Sequence, residues 1–368
     1  MLYDRLRSWL FTLDAEQAHH MGVRAAKLAQ QFTPGYIEKL FGFADARLHS
    51  KVWGVNFPNP VGLAAGFDKN GELVRFWERL GFGFVEVGSV SAKSAKGNPK
   101  PRAFRLEADR ALVNRMGLNN HGAARIARRL AKLPKDRVMP LGINIVKTHD
   151  PSVMGEAGIE DFRTSFSLLA PLADYIVLNI SCPNTTEGKT FEDPEALDTL
   201  LATIRAAKKP MAKRPPILLK LSPPATTRMV FDSATDAIVD LAQQYGIAGF
   251  VATNTASDRD GLTTDAARLV EIGRGGLSGA PLAERSTHLV RYLYEKTEGT
   301  LPIIGVGGVA SAADAYAKIR AGASLVQLYT GMVYEGPGVI KAINEGLLEL
   351  MERDGFRHIG EAVGADLR

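Results

Sequence analysis

The chain has 368 residues, 45% hydrophobic and 23% charged, with a net charge of +5. This length and apolar share fill a sizeable core and exclude a disordered chain, while so small a charge excess carries no nucleic-acid footprint. A single cysteine excludes internal disulfides and a cysteine-built metal site, and it suits a reducing compartment.

Residues 1–45 differ in pattern from the remainder of the chain. Leu2, Leu6, Trp9, Leu10 and Leu13 recur at helical spacing, with Asp4, Arg5, Arg7 and Ser8 between them. Asp14 and Gln17 form a capping pair for a second helix with an apolar stripe of Met21, Ala25, Leu28 and Phe32, and Pro34-Gly35 ends it. Such a pair of helices is either a cap packed on the domain or a hairpin lying at a membrane interface, and Trp9, Phe11 and the nearby arginines suit the second. No uninterrupted apolar run is long enough to span a bilayer, and residues 1–30 lack the pattern of a secretory leader.

From residue 50 a rhythm sets in. Val52 to Phe57 reads as one lead-in strand. Eight short apolar runs come next: Pro60 to Ala65, Phe84 to Ser89, Leu141 to Lys147, Tyr175 to Ser181, Ile217 to Ser222, Gly249 to Thr255, Ile303 to Gly308 and Leu325 to Thr330. Helical patterns such as Leu73–Leu80, Ala123–Leu133, Pro194–Lys208, Met229–Tyr245, Ala283–Lys296 and Ala312–Ala321 lie between most of them. Eight buried strands alternating with helices predict an α/β fold, a (β/α)8 TIM barrel carrying an N-terminal helical extension. Residues 1–45 are taken as the extension and 46–368 as the barrel. Lys93 to Leu112, with its Gly-Asn-Pro-Lys-Pro-Arg core, breaks the rhythm and reads as an excursion on top of the barrel. The basic run from Arg125 to Arg137 reads as a solvated helix face.

Such barrels place their active site at the carboxyl ends of the strands. Every run here ends in a polar group or glycine: Lys69, Ser89, Asn144 with Lys147, Asn179 with Cys182, Lys220, Thr253 to Thr255, Gly307-Gly308, and Tyr329 to Gly331. The glycines after strands seven and eight sit where barrels hold phosphate, because their backbone N–H groups can approach an anion closely. Gly275 to Gly279 reads as another close-approach loop. A lysine inside Ile217-Leu218-Leu219-Lys220-Leu221 needs an anionic partner. Amides at Asn114, Asn144, Asn179, Asn184 and Asn254 suit a ring with alternating C=O and N–H groups, such as a pyrimidine. Cys182, which ends an apolar strand beside two of these amides, is either a small packing residue or the chemistry of the site.

Five motifs together resemble the dihydroorotate dehydrogenases, the flavin enzymes of pyrimidine biosynthesis. They are Asn59 to Lys69, Asn114-Arg115-Met116-Gly117-Leu118-Asn119-Asn120, Asn179-Ile180-Ser181-Cys182-Pro183-Asn184, Ala252-Thr253-Asn254-Thr255 and Gly275-Gly276-Leu277-Ser278-Gly279. The N-terminal extension resembles that of the membrane-associated, quinone-reducing class. The resemblance implies an FMN held by Ala65, Gly66, Phe67, Asp68, Lys69, Ser89, Asn144, Asn179, Lys220, Thr253, Gly279, Gly308, Tyr329 and Thr330. It implies dihydroorotate, the precursor of orotate, held by Lys69, Asn114, Arg115, Met116, Gly117, Leu118, Asn179, Asn184, Asn254 and Thr255, and no metal. It further implies a ubiquinone or menaquinone entering between the N-terminal helices, and a peripheral position on the cytoplasmic side of the inner membrane. Cys182 is the implied general base; it resembles the soluble classes here, since the quinone class has serine. Rival readings are a soluble member of the same family using fumarate or NAD, another FMN barrel acting on uracil in RNA, and a non-catalytic phosphate-binding barrel.

Overall fold

The computed structural model describes residues 2–134, 136–181, 190–224 and 233–368. Eight parallel strands close on themselves: Val61–Leu63, Phe84–Val90, Leu141–Ile145, Tyr175–Asn179, Ile217–Leu221, Gly249–Ala252, Ile303–Val306 and Ala323–Leu328. The eighth strand pairs with the first, Val326 opposite Val61, which leaves the sheet without an edge. The TIM-barrel expectation therefore holds, with most strands a residue or two shorter at their ends than the apolar runs that mark them. The register sets Asn179 beside Lys220 and Ala252 beside Gly305, so that polar tips from neighbouring strands arrive at one level.

Two layers of apolar side chains support the barrel. The outer one packs strand residues such as Ile143, Leu178 and Phe250 against helix residues such as Phe162, Leu200 and Leu347. The inner one fills the lower barrel with Phe84, Tyr175, Val177, Leu218, Val251, Ile304 and Leu325. Here two glycines make room for rings. A Cβ on Gly62 would lie 2.3 Å from the Phe84 ring, and one on Gly142 would lie 2.1 Å from that of Tyr175. The bottom is stoppered by a two-stranded hairpin, Ser50–Val52 and Val55–Phe57, where the sequence pattern predicts a single strand. The chain reverses at Trp53 and Gly54, both at positive φ (54° and 78°), which is the backbone of a tight hairpin turn. Trp53 then packs against Tyr175, with ring centroids 5.8 Å apart, and donates its indole N–H to the carbonyl of Ala248 at 2.7 Å.

Three helices precede the hairpin: Leu2–Thr12, Ala15–Phe32 and Pro34–Phe41. Asp14 caps the second by accepting from the N–H groups of Glu16 and Gln17. Pro34 does close off the second helix, which ends at Phe32, but not the helical region. It is the first residue of the third helix, where its missing N–H costs nothing. The excursion after the second strand forms a hairpin, Ala103–Leu106 and Ala111–Asn114, and Gly276–Gly279 adds to it as a third antiparallel strand. Gly275 to Gly279 is thus mostly a strand of this upper sheet rather than a free loop.

Replacing Gly142 by alanine forces a methyl into the Tyr175 ring, so we expect a loss of about 1–3 kcal/mol of stability, the usual cost of overpacking a core. A urea titration reads it as a lowered midpoint with an unchanged slope.

Candidate active site

The site is built on a fully buried carboxylate. Glu86, on the second strand, accepts from Asn144 Nδ2 on the third and from Gln327 Nε2 on the eighth, each at 2.8 Å. A buried carboxylate needs such donors, and it fixes both amides in return. Asn144 is left with its buried Oδ1 lacking a partner among the described residues. One level higher, Asn179 Nδ2 donates to Ser89 Oγ at 3.1 Å, and Asn179 Oδ1 accepts from Asn254 Nδ2 at 3.3 Å. Asn254 also donates to the carbonyl of Ser181 at 2.8 Å, and its Oδ1 receives the N–H of Thr255 at 2.9 Å. Strands two, four and six thus meet through their tip residues, with Lys220 beside Asn179 on the fifth.

A second cluster lies at the ends of strands seven and eight. Gly308 has φ 75°, and a Cβ there would come within 2.5 Å of Ala283. At Gly279, with φ 105°, a Cβ would lie 2.4 Å from the carbonyl of Arg110 and 3.0 Å from Thr330. Ser278 Oγ and Thr330 Oγ1 are 2.9 Å apart. Backbone at Gly279, beside Thr330, and at Gly308 therefore admits no side chain, and bare backbone of this kind is what can approach an anion closely.

The strand-one loop forms the adjoining wall. A Cβ on Gly66 would lie 3.4 Å from the Tyr329 ring, and Phe67 packs against Tyr329 with centroids 5.0 Å apart. Asp68 turns away from the mouth. Its carboxylate accepts from the N–H groups of Glu72 and Leu73 and from Trp77 Nε1, so its part is to hold the turn that presents Phe67 and Lys69. Burial raises its pKa, and these donors work against the rise. Burial pushes the Lys69 amine down to about 8, helped by the nearby Arg102 charge and opposed by Glu16. Arg115 likewise points elsewhere: its guanidinium donates to the carbonyls of Ile272 and Arg274 and stacks on Phe104, bracing the chain before Gly276. Asn114 reaches the carbonyl of Gly276 at 3.3 Å. Gly117 packs against Asn98, where a Cβ would come within 2.5 Å of its N, and Leu118 adopts φ 55°. Met116 through Leu118 thus form a tight turn beside the upper sheet. Ala65 and Thr253 continue the first and sixth strands at the same rim, and Thr253 N–H donates to the carbonyl of Val306 at 2.8 Å. Cys182 and Asn184 lie outside the described residues.

The N-terminal helices dock over this rim. His19 packs edge-on against Phe67, with centroids 5.0 Å apart, and Phe11 packs against Tyr334 at 5.4 Å. Arg105 donates to the carbonyl of Leu13 at 2.8 Å, and Tyr3 donates to that of Val333 at 2.7 Å. Buried Glu16 grips buried Arg102 through two bonds, at 2.8 and 3.1 Å, while Arg102 also holds the carbonyls of Lys96 and Asn98 at 2.9 Å. Burial opposes ionisation of Glu16, yet the bonds and charges of Arg102 and Lys100 bring its pKa down to about 2. Burial lowers His19 to about 4, with Lys69 and His20 adding to the effect and Glu16 opposing it.

Sequence reasoning missed Glu86, Gln327, His19 and the Glu16–Arg102 pair. The signal for Glu86 was present, a charge inside the apolar run Phe84-Val85-Glu86-Val87, and it is the same signal that singled out Lys220.

The geometry defines a class: a (β/α)8-barrel enzyme with its polar rim at the strand carboxyl ends, glycine-bared backbone at strands seven and eight, and a helical cover. Comparison narrows this. The family model for dihydroorotate dehydrogenase matches residues 47–351. A relative from Nocardia farcinica named dihydroorotate dehydrogenase (quinone) is 45% identical, spanning 100% of this chain and 98% of its own. One of the same name from Gloeobacter violaceus is 44% identical over 99% and 98%. The crystal structure of the ligand-free dihydroorotate dehydrogenase from Eimeria tenella superposes with a TM-score of 0.87 at 34% identity, covering 96% of this chain and 100% of that one. The chain belongs to the dihydroorotate dehydrogenase family.

Glu16 has a folded pKa of about 2 against an ordinary 4.5, so its contribution is complete above pH 4.5 and lost as pH falls towards 2. A shift of that size is worth on the order of 3 kcal/mol. The stability difference between wild type and Glu16→Gln, followed by urea unfolding, should therefore shrink between pH 5 and pH 2.5.

Proposed function

We propose that the chain oxidises dihydroorotate to orotate in pyrimidine biosynthesis and passes the electrons, by way of a flavin, to a quinone. Membership of a flavin-using family and full-length relatives named for the quinone reaction support the acceptor. The observation that carries the chemistry is the convergence of Ser89, Asn179 and Asn254 from three strands on one point of the rim.

FMN is the flavin we assign, and the residues fit it. Asn144 Oδ1, without a partner among the described residues, together with Ala65, Gly66, Ser89, Asn179, Lys220 and Thr253, offers polar groups and bare backbone to a flat ring. Gly279, Gly308, Tyr329 and Thr330 offer backbone to a single phosphate. When bound, FMN supplies the acceptor for the hydride leaving C6 of the substrate. Cys182 takes the proton from C5. A thiol of ordinary pKa about 8.5 serves as base once neighbouring positive charge favours its thiolate. Lys69 is cationic below about pH 8 and pairs with the substrate carboxylate, and that pairing favours its charged form further. Asn114, Asn179, Asn184, Asn254 and Thr255 orient the pyrimidine ring, since each amide presents a donor beside an acceptor. Arg115 and Asp68 act by bracing the turns around Met116 to Leu118 and Lys69.

Residues 1–45 give the quinone access and a membrane contact. His19, held neutral at physiological pH, and Phe67 form an apolar junction between these helices and the rim. The outer face exposes Trp9 by 50%, Leu28 by 58% and Phe32 by 69%, with Arg5, Arg24 and Lys39 also exposed. That combination suits insertion at an anionic lipid surface. No helix among the described residues is long and apolar enough to cross a membrane. The reading is therefore a peripheral position on the cytoplasmic face of the inner membrane.

The purified protein should be yellow, bleach on anaerobic addition of dihydroorotate, and regain its colour with a ubiquinone analogue; a colourless protein, or no bleaching, would sink the assignment. Reoxidation by fumarate in place of quinone would move it to a soluble class. Cys182→Ala should slow flavin reduction by about 10²–10⁴-fold, the usual worth of a general base, with flavin content unchanged. Deleting residues 1–40 should abolish quinone reduction and binding to anionic vesicles while the flavin still bleaches.

A further inference from the structure

Behind the turn at Gly307 and Gly308 lies a charged side chain with no part in the chemistry above. Lys318, on the helix Ala312–Arg320, is 1% exposed. Its stem packs under the seventh strand, where a Cβ on Gly305 would lie 3.2 Å from Lys318 Cδ. Its ammonium donates to the carbonyl of Ala283 at 3.1 Å, to Thr287 Oγ1 at 2.9 Å and to Ser286 Oγ. All three are neutral oxygens. Burial pushes its pKa down to about 7, with Asp314 on the same helix opposing the shift. The Asp314 carboxylate is itself engaged by Ala310 N–H at 3.1 Å and Ser311 Oγ at 2.8 Å. A cation held on neutral dipoles is costly unless an anion comes within reach.

Ser286 connects this cation to the rim. Its oxygen receives Lys318, so its one proton is free to donate, and the carbonyl of Gly307 lies 3.0 Å away, with that of Ala283 at 3.1 Å. The carbonyl and N–H of a trans peptide point in opposite directions. Drawing the Gly307 carbonyl in towards buried Ser286 therefore turns the Gly308 N–H outwards. Among the described residues, that N–H has no backbone acceptor.

We propose that Lys318, acting through Ser286, is a positioning residue for a phosphate monoester: it orients the Gly307–Gly308 peptide towards the anion and places a buried positive charge behind it. This rests on the FMN reading, with the phosphate at Gly308. The two are separated by one preparation. Flavin released by denaturing the wild-type protein should chromatograph as FMN; any other flavin overturns the FMN reading and this proposal with it. Wild-type, Lys318→Met and Ser286→Ala holoenzymes are then equilibrated with excess riboflavin, which has the same ring and no phosphate, and the ratio of bound FMN to bound riboflavin is measured. A merely structural role weakens both flavins alike and leaves the ratio unmoved. We expect the preference for FMN to fall about tenfold or more in Lys318→Met and about threefold in Ser286→Ala, as befits a charged and a neutral hydrogen-bond link. An unchanged ratio in Lys318→Met overturns the proposal. Should that variant not fold, an unchanged ratio in Ser286→Ala does the same.

Discussion

The working end of this barrel depends on one buried carboxylate and the two amides that satisfy it. Glu86 has no access to solvent, and its oxygens are met by Asn144 on the third strand and Gln327 on the eighth. Such a group is tolerable only when its donors are in place, and removing either would leave a polar oxygen unsatisfied in a dry interior. The constraint runs both ways. Because Glu86 claims the Asn144 NH2 group, the other end of that amide has one orientation left. The floor beneath the rim is set before any ligand arrives, and Asn179, Ser89 and Asn254 assemble above it.

Tyr334 has a comparable role on the helical side. Its hydroxyl donates to the carbonyls of Ala111 at 2.9 Å and Leu106 at 3.2 Å, which holds the upper hairpin, while its ring receives Phe11 from the first helix. Thr330 at one end of the same short helix meets the Ser278 hydroxyl. The aromatic row of His19, Phe67 and Tyr329 then leads from the second helix to the wall of the mouth.

Much of this was legible in the sequence, and the gaps have physical reasons. Buried parallel strands are nearly continuous apolar runs, so the barrel announces itself, and the alternation with helices assigns its tips. Ser89, Asn179 and Asn254 could be gathered at one mouth from that periodicity alone. What stayed hidden depends on partners distant in sequence. Glu16 and Arg102 are 86 residues apart, and neither carries a local pattern that requires the other. Gly276–Gly279 becomes a strand only because Ala111–Asn114 lies alongside it. Trp53-Gly54 reverses the chain without the asparagine or aspartate that ordinarily marks such a turn, so a hairpin reads as one strand. Pro34 looks like a terminator, yet the same residue suits the first position of a helix.

The lower barrel is a set of interlocked shapes, with Gly62 surrendering its side chain to Phe84 and Gly142 to Tyr175. This restricts the order in which the sequence can drift. A larger residue at position 142 is admissible only after position 175 has shrunk, and the intermediate with both small carries a void. Change in this layer must therefore come as compensated pairs.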